Sequence, residues 1–244
     1  MDINLLKYEL HPGVEAFSTL RPSGVPRRSA PASGLAWPVL QPLQVHGDRV
    51  AIVDKPTHAR TRLHGCDAIV TPLEGFGIGV RTADCIPVLL YDPVHRVVAA
   101  VHSGWKGTVA RISCKTLGSM AVHFGTDPGE VYALIGPGIG LDDFQVGEEV
   151  AERFAAEGFP MPLILRDDGP RVPGTMQGGL HIDLWNANRW LLECVGVPAS
   201  RIRVVGISSY ADPRFWSARR DGPDCGRTVT AIRLCSRGWQ LTNC

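Results

Sequence analysis

The segment from Gly79 to Thr108 constrains the fold of this 244-residue chain more than any other part of it. Two short apolar runs, residues 86–91 and 97–101, flank a turn sequence at Asp92-Pro93. Short apolar runs on either side of a turn dipeptide predict two strands joined by a tight connection. We therefore expect a buried hairpin, around which the rest of the sheet is built.

Two reactive side chains stand at the ends of these runs. Cys85 precedes the first run and His102 follows the second, so antiparallel pairing places both at the same end of the sheet. A thiol beside an imidazole indicates a nucleophile with its base, with Asp84 or His46 orienting the base, or a pair of metal ligands. His46 precedes a glycine after an extended segment, and loops converge at a sheet end. One cysteine and two histidines with an open fourth position are typical of a catalytic zinc site.

Composition excludes several classes of function. The chain is 44% hydrophobic and 20% charged, which is typical of a globular protein. Its formal net charge of +1 is too small to attract nucleic acid. No apolar run approaches the roughly 18 residues of a membrane span, and the N-terminus lacks the features of a signal peptide. The seven cysteines include no CxxC pair and are odd in number, which favours a reducing compartment. We expect a cytoplasmic protein.

Strand and helix patterns alternate along the chain. Helical patterns follow Thr108 and also cover residues 147–159 and 184–194, with short apolar strand patterns between them. A Pro-, Ser- and Ala-rich stretch, Pro22–Gly34, predicts an irregular loop. This order predicts an α/β (α+β) layered sandwich with a mixed β-sheet, formed as one domain over residues 1–244.

Arginines are concentrated near the C-terminus. Arg219, Arg220 and Arg227 lie within a turn-rich segment, and their planar guanidinium groups suit phosphate or carboxylate. A solvated basic loop is the alternative interpretation. Arg81, close to Cys85 in sequence, is a further candidate for binding an anion.

Five motifs, in order along the chain, resemble the YfiH-type laccase-domain family. They are QVHG (44–47), RTADCIPVLL (81–90), AAVHSGWKGT (99–108), IGPGIG with the following FQVGEEV (135–150), and FWSARRDGPDCGR (215–227). That family was once labelled a multicopper polyphenol oxidase, and is better described as a purine nucleoside phosphorylase with an adenosine-deaminating side activity. The resemblance implies a YfiH-like fold, and zinc bound by His46, Cys85 and His102.

The chain departs from the family pattern in four places, one of which is the small change from alanine to Ser103 in the HAGW motif. The segment after STLRPSGVP (18–26) is shorter than in the family, Ser208-Ser209-Tyr210 replaces a CTY sequence, and Ala218 replaces a tyrosine before the paired arginines. The three residues that the resemblance assigns to zinc are all present. The departures therefore bear on the substrate rather than on the metal.

The expected function is that of a zinc-dependent purine nucleoside phosphorylase with adenosine deaminase activity. Its partners would be a purine nucleoside and phosphate, with no nucleic acid and no membrane, and a monomer is the expectation. Two alternatives stay open: a metal-free Cys-His hydrolase with Cys85 as nucleophile, and a zinc-bearing binding module without turnover. None of the eight histidines is spaced as HxH, which disfavours a multicopper centre.

Overall fold

The computed structural model describes residues 4–22, 37–55, 58, 63–168 and 179–236. Apart from Pro22, the predicted loop Pro22–Gly34 lies outside these residues. No helix within the described ranges combines the length and the hydropathy that a membrane crossing requires.

The described elements form a mixed α+β architecture. The strands are β1 (Leu5–Tyr8), β2 (Val14–Thr19), β3 (Val39–Leu40), β4 (Val50–Ile52), β5 (Ala68–Thr71), β6 (Gly77–Thr82), β7 (Ile86–Asp92), β8 (Val97–Ser103), β9 (Tyr132–Ile135), β10 (Leu165–Arg166), β11 (His181–Ile182), β12 (Ile202–Val204) and β13 (Thr228–Leu234). The α-helices are α1 (Trp105–Val109), α2 (Ile112–Phe124), α3 (Glu148–Ala156), α4 (Met161–Ile164), α5 (Leu184–Cys194) and α6 (Ala218–Asp221).

Two larger sheets contain most of the strands. One has the order β12-β9-β7-β8-β5-β4, the other has the order β1-β2-β13-β6-β3, and β10 pairs with β11. Both larger sheets are mixed, because β4–β5, β9–β12 and β3–β6 are parallel while their other pairs are antiparallel.

The central hairpin is buried on both of its faces. Val88 and Leu90 of β7 belong to a core shared with the helices, whereas Leu89 and Tyr91 pack with residues of the five-stranded sheet. Because successive side chains of a strand point to opposite faces, both faces must be apolar when both are covered. This explains why the two runs of the hairpin are continuously apolar.

The α+β sandwich predicted from the sequence is confirmed, and the structure differs from the prediction in several details. The helix predicted after Thr108 is divided into α1 and α2 at Arg111, whose φ of 60° is left-handed. Strand β6 was not predicted, because its glycines resemble turn signals. Gly77 instead leaves space for an aromatic ring: a Cβ there would lie 1.8 Å from Trp37 Cζ3.

Candidate metal centre

The predicted pairing of the two reactive side chains is confirmed. β7 and β8 are antiparallel with Pro87 opposite His102, so Cys85 and His102 lie at the same end of the hairpin. His102 is 3% exposed, whereas Cys85 is half-buried. The hairpin therefore places a thiol and an imidazole together at one sheet edge.

His46 completes the group. One potential ligand atom from each of His46, Cys85 and His102 lies within 4.8 Å of the others. The rings of His46 and His102 meet nearly edge to face, with centroids 4.8 Å apart. His46 is exposed, so the cluster opens to solvent on its side. Three ligand atoms this close form a group that can hold a metal ion.

Asp67 organises the cluster, and it was not among the site residues predicted from the sequence. Its buried carboxylate accepts hydrogen bonds from three consecutive backbone N–H groups, those of Val45 (3.1 Å), His46 (2.9 Å) and Gly47 (2.8 Å). These bonds hold the His46 loop, in which His46 has a left-handed φ of 60°. A histidine in this conformation is uncommon, so the loop needs such support.

The same carboxylate orients the buried histidine. His102 Nδ1 lies 2.7 Å from Asp67 Oδ1, which leaves His102 Nε2 as the nitrogen able to bind a ligand. Many metal-binding histidines donate their other ring N–H to a carboxylate in this way. It is also the arrangement behind the base of a nucleophilic cysteine.

Electrostatics favour a charged thiolate. Burial opposes the charged form of Cys85, but hydrogen bonds and the positive potential from His102 and His46 outweigh it and lower the pKa of Cys85 to about 6. Burial likewise opposes protonation of His102, yet Asp67 and Cys85 raise the pKa of His102 to about 9. Cys85 is therefore ready to act as a ligand or as a nucleophile at neutral pH.

Asp84, predicted as a candidate acid or base, has both carboxylate oxygens engaged. Ser209 Oγ donates to Oδ1 at 2.8 Å, and the backbone N–H of Arg219 donates to Oδ2 at 2.7 Å. Asp84 also has a positive φ of 87°, a conformation that few residues other than glycine adopt. It thus joins the segment before Cys85 to the segment that carries the arginines.

The four predicted anion-binding arginines differ in their environments. Arg219 and Arg220 lie in α6, Arg227 directly precedes β13, and Arg81 lies in β6 with its side chain exposed. The backbone of Arg81 is clamped by Gln44, whose side-chain amide donates to the Arg81 carbonyl and accepts from its N–H at 2.8 Å each. Gln44 thereby fixes the position of the chain two residues before His46.

Gly104 leaves room for the thiol, and this gives a testable prediction. A Cβ at Gly104 would lie 2.8 Å from Cys85 Sγ, closer than real contacts allow. We expect Gly104→Ala to displace the thiol and weaken metal binding without removing a ligand, measured by zinc titration against a competing chelator.

Gly118→Ala provides the control for this substitution. Gly118 lies within α2, and a Cβ there would meet no atom within 4 Å. The alanine should leave zinc affinity unchanged and raise stability by about 0.5–1 kcal/mol. Equal zinc affinity of the two variants would contradict the predicted crowding of Cys85.

Comparison with known proteins identifies the family. A family model described as multi-copper polyphenol oxidoreductase laccase matches residues 27–235. The chain belongs to this family. The resemblance inferred from the five motifs is thereby confirmed.

Two relatives carry names that refer to purine nucleosides. A Bacteroides thetaiotaomicron protein named purine nucleoside phosphorylase is 44% identical over 173 residues, which are 70% of this chain and 62% of that protein. The chain thus matches less than two thirds of that relative's length. A protein from an unknown prokaryotic organism, named adenosine deaminase RL5, is 41% identical over 201 residues, which are 80% of this chain and 74% of that protein.

A solved structure supports the architecture. The Bacillus licheniformis hypothetical protein YfiH superposes with a TM-score of 0.76 at 25% identity, covering 91% of this chain and 93% of that one. YlmD from Geobacillus stearothermophilus, at 24% identity and a TM-score of 0.75, shares the same fold. The YfiH-like fold expected from the sequence is therefore confirmed.

Proposed function

We propose that this protein is a zinc-dependent purine nucleoside phosphorylase that also deaminates adenosine. The single observation that carries the proposal is the cluster of His46, Cys85 and His102, found in a chain whose relatives bear the names of these two activities. The substrates proposed are adenosine, inosine or 5'-methylthioadenosine together with phosphate, and the products of phosphorolysis are the free base and ribose 1-phosphate.

The donor set fits zinc. A thiolate sulfur and two imidazole nitrogens are borderline-soft ligands that zinc accepts, and three protein ligands leave a position open for substrate. Asp67 fixes the orientation of the His102 ring, and the low pKa of Cys85 keeps its sulfur deprotonated at neutral pH. When bound, zinc would supply Lewis-acid stabilisation of developing negative charge.

Phosphorolysis places two demands on the residues of this chain. A phosphate oxygen forms a bond to ribose C1′ while the bond from C1′ to the purine nitrogen breaks, and the departing base takes up a proton. The phosphate needs a cationic donor that fixes its geometry, and we propose that this donor lies in the arginine-rich segment that contains Arg219, Arg220 and Arg227, aided by Arg81. The exposed side of His46 leaves a path for the nucleoside.

Deamination uses the same nucleoside in a different way. Water adds at purine C6, the amino group leaves as ammonia, and adenosine becomes inosine. No phosphate takes part in this reaction. The two activities therefore separate by their need for phosphate, which is useful experimentally.

A metal-free hydrolase is the second candidate, and a specific observation favours it. Asp67, His102 and Cys85 form a row in which the carboxylate holds the imidazole and the imidazole faces the thiol. This is the order of groups in a Cys-His-Asp triad. In such a triad His46 only helps to lower the pKa of Cys85, whereas the metal site requires His46 as a ligand.

A product assay tests the proposal. Purified protein is incubated with adenosine, with and without phosphate, and adenine, inosine and ribose 1-phosphate are separated by chromatography. We expect adenine and ribose 1-phosphate only when phosphate is present, inosine in both cases, and loss of all three after chelation. No product from zinc-loaded protein would instead favour a binding module, and full activity after complete zinc removal would favour the hydrolase.

A further inference from the structure

The arginines near the cluster differ in how many of their donors are already used. Arg220 donates to the carbonyls of Ser209, Tyr210, Asp212 and Phe215 and to the Asp221 carboxylate, so each of its side-chain nitrogens has a partner. Arg227 donates through both terminal nitrogens to the loop 223–226. These two side chains hold the arginine-rich segment in shape.

Arg219 is different. Its Nη2 donates to the Gln145 carbonyl at 3.1 Å, and its guanidinium lies 5.9 Å from the Phe144 ring centroid. Its Nη1 is buried and has no hydrogen-bond partner. Among the described residues no carboxylate forms an ion pair with Arg219.

A buried guanidinium nitrogen without an acceptor is costly. The penalty for an unsatisfied buried donor is about 1–3 kcal/mol, and it is larger for a charged group. Other buried side-chain atoms also lack a hydrogen bond, but their situations differ. The two nitrogens of Arg166 lie near the carboxylates of Asp142 and Asp168, and the hydroxyl groups of Thr126 and Thr228 carry no charge. An external acceptor is therefore expected at Arg219.

Arg219 is also tied to the cluster. Its backbone N–H donates to the carboxylate of Asp84, the residue directly before Cys85. The second oxygen of that carboxylate is held by Ser209 Oγ. Asp84 thus links the segment of the thiol to the turn of α6 that carries Arg219.

From this arrangement we infer that Arg219, and neither Arg220 nor Arg227, anchors the phosphate, and that Asp84 is the residue that positions it. The inference rests on the proposed phosphorolysis and names the residue that serves it. A phosphate oxygen supplies the acceptor that Nη1 lacks, and charge-assisted bonds of this kind are among the stronger ones in proteins. Asp84 acts through Arg219, with no proton transfer of its own.

The test compares Arg219→Gln with Arg214→Gln. Arg214 lies in the same segment but is exposed, and its side chain pairs with Asp212. We expect Arg219→Gln to raise the KM for phosphate about 10- to 100-fold, the equivalent of one charge-assisted hydrogen bond. The KM for adenosine should change far less, and the ratio of inosine to adenine formed should rise. Arg214→Gln should match the wild-type protein.

A binding measurement separates failure of the inference from failure of the proposed function. Inorganic phosphate should raise the Tm of the wild-type protein and of Arg214→Gln, but not that of Arg219→Gln. If phosphate raises the Tm only when Arg219 is present, but no phosphorolysis occurs, the proposed function is wrong and Arg219 still binds phosphate. If Arg219→Gln carries out phosphorolysis with an unchanged KM for phosphate, Arg219 does not anchor the phosphate. If Arg219→Gln fails to fold, Arg219→Lys keeps the charge and should show a smaller rise in the phosphate KM; an unchanged value there would also overturn the inference.

Asp84→Asn and Asp84→Ala test the positioning role. Asparagine tolerates a positive φ, its Oδ1 can accept from the Arg219 N–H, and its amide can donate to Ser209 Oγ. We expect Asp84→Asn to keep a phosphate KM near the wild-type value and Asp84→Ala to raise it as Arg219→Gln does. Loss of both reactions in a folded Asp84→Asn protein would make Asp84 an acid or base and overturn the positioning role.

Discussion

The His46→Ala protein is expected to purify with almost no zinc and to lose both phosphorolysis and deamination by more than about 100-fold. Loss of a residue that only supports a metal ligand lowers metal affinity or activity ~10- to 100-fold. His46 is proposed as a ligand itself, so its loss should have a larger effect. Elemental analysis of the purified protein and the product assay measure the two effects.

His46 separates the two candidate functions better than Cys85 does. Cys85→Ala removes activity whether the sulfur is a ligand or a nucleophile. His46→Ala leaves Asp67, His102 and Cys85 in place, so a metal-free hydrolase should survive it. A folded His46→Ala protein that keeps most of its activity would rule out the zinc site as the catalytic centre.

His123→Ala is the matched control. His123 is exposed in α2, where its ring Nδ1 lies 2.9 Å from the Ser119 carbonyl, and it has no place in the cluster. The zinc content and activity of the His123→Ala protein should equal those of the wild-type protein. A comparable loss in this variant would show that the His46 result reflects general damage rather than loss of a ligand.

The hairpin was predictable because its signals are local. Continuous apolar runs around Asp92-Pro93 specify two neighbouring strands, and antiparallel pairing then determines that Cys85 and His102 share one end. His46 could be added only through the convergence of loops at that end, and the family resemblance supported the same three residues. Local sequence thus determined two of the three members of the cluster.

Asp67 could not be found in this way, because its role depends on a non-local pairing. β5 lies beside β8 with Ala68 opposite Val101, which brings Asp67 next to His102 across 35 positions of sequence. An acidic residue directly before a buried apolar strand was the available signal. It becomes informative only when the neighbour of that strand is known.

The arginines show the same limit. Sequence groups Arg219, Arg220 and Arg227 together, since all three are cations in one turn-rich segment. Only the folded chain shows that carbonyl groups and a carboxylate already occupy the donors of Arg220, and that Arg219 keeps an unused one. The number of free hydrogen-bond donors depends on the packed loop and is not encoded in local sequence.

Asp67→Asn is expected to destabilise the metal-free protein and to weaken zinc binding. Each carboxylate oxygen of Asp67 accepts two N–H groups, so either orientation of an asparagine amide turns its NH2 group towards two donors. Leaving such donors unsatisfied costs about 2–5 kcal/mol of unfolding free energy in total. Zinc affinity should fall ~10- to 100-fold, because His102 and the His46 loop lose their support.

Asp183→Asn provides the comparison, since it makes the same chemical change at another buried carboxylate. Asp183 caps α5 by accepting from the Asn186 backbone N–H at 2.9 Å. Its second oxygen accepts from the Asn186 side-chain amide at 2.9 Å, and that amide, unlike a backbone N–H, can turn to present its own oxygen to a new NH2 group. Asparagine caps helices about as well as aspartate, so this variant should lose no more than about 0.5 kcal/mol. Urea unfolding of the metal-free proteins and zinc titration against a chelator measure the two effects separately. Equal losses of stability in the two variants would mean that Asp67 contributes no more than an ordinary buried carboxylate. Unchanged zinc affinity in Asp67→Asn would mean that the ligands keep their positions without it.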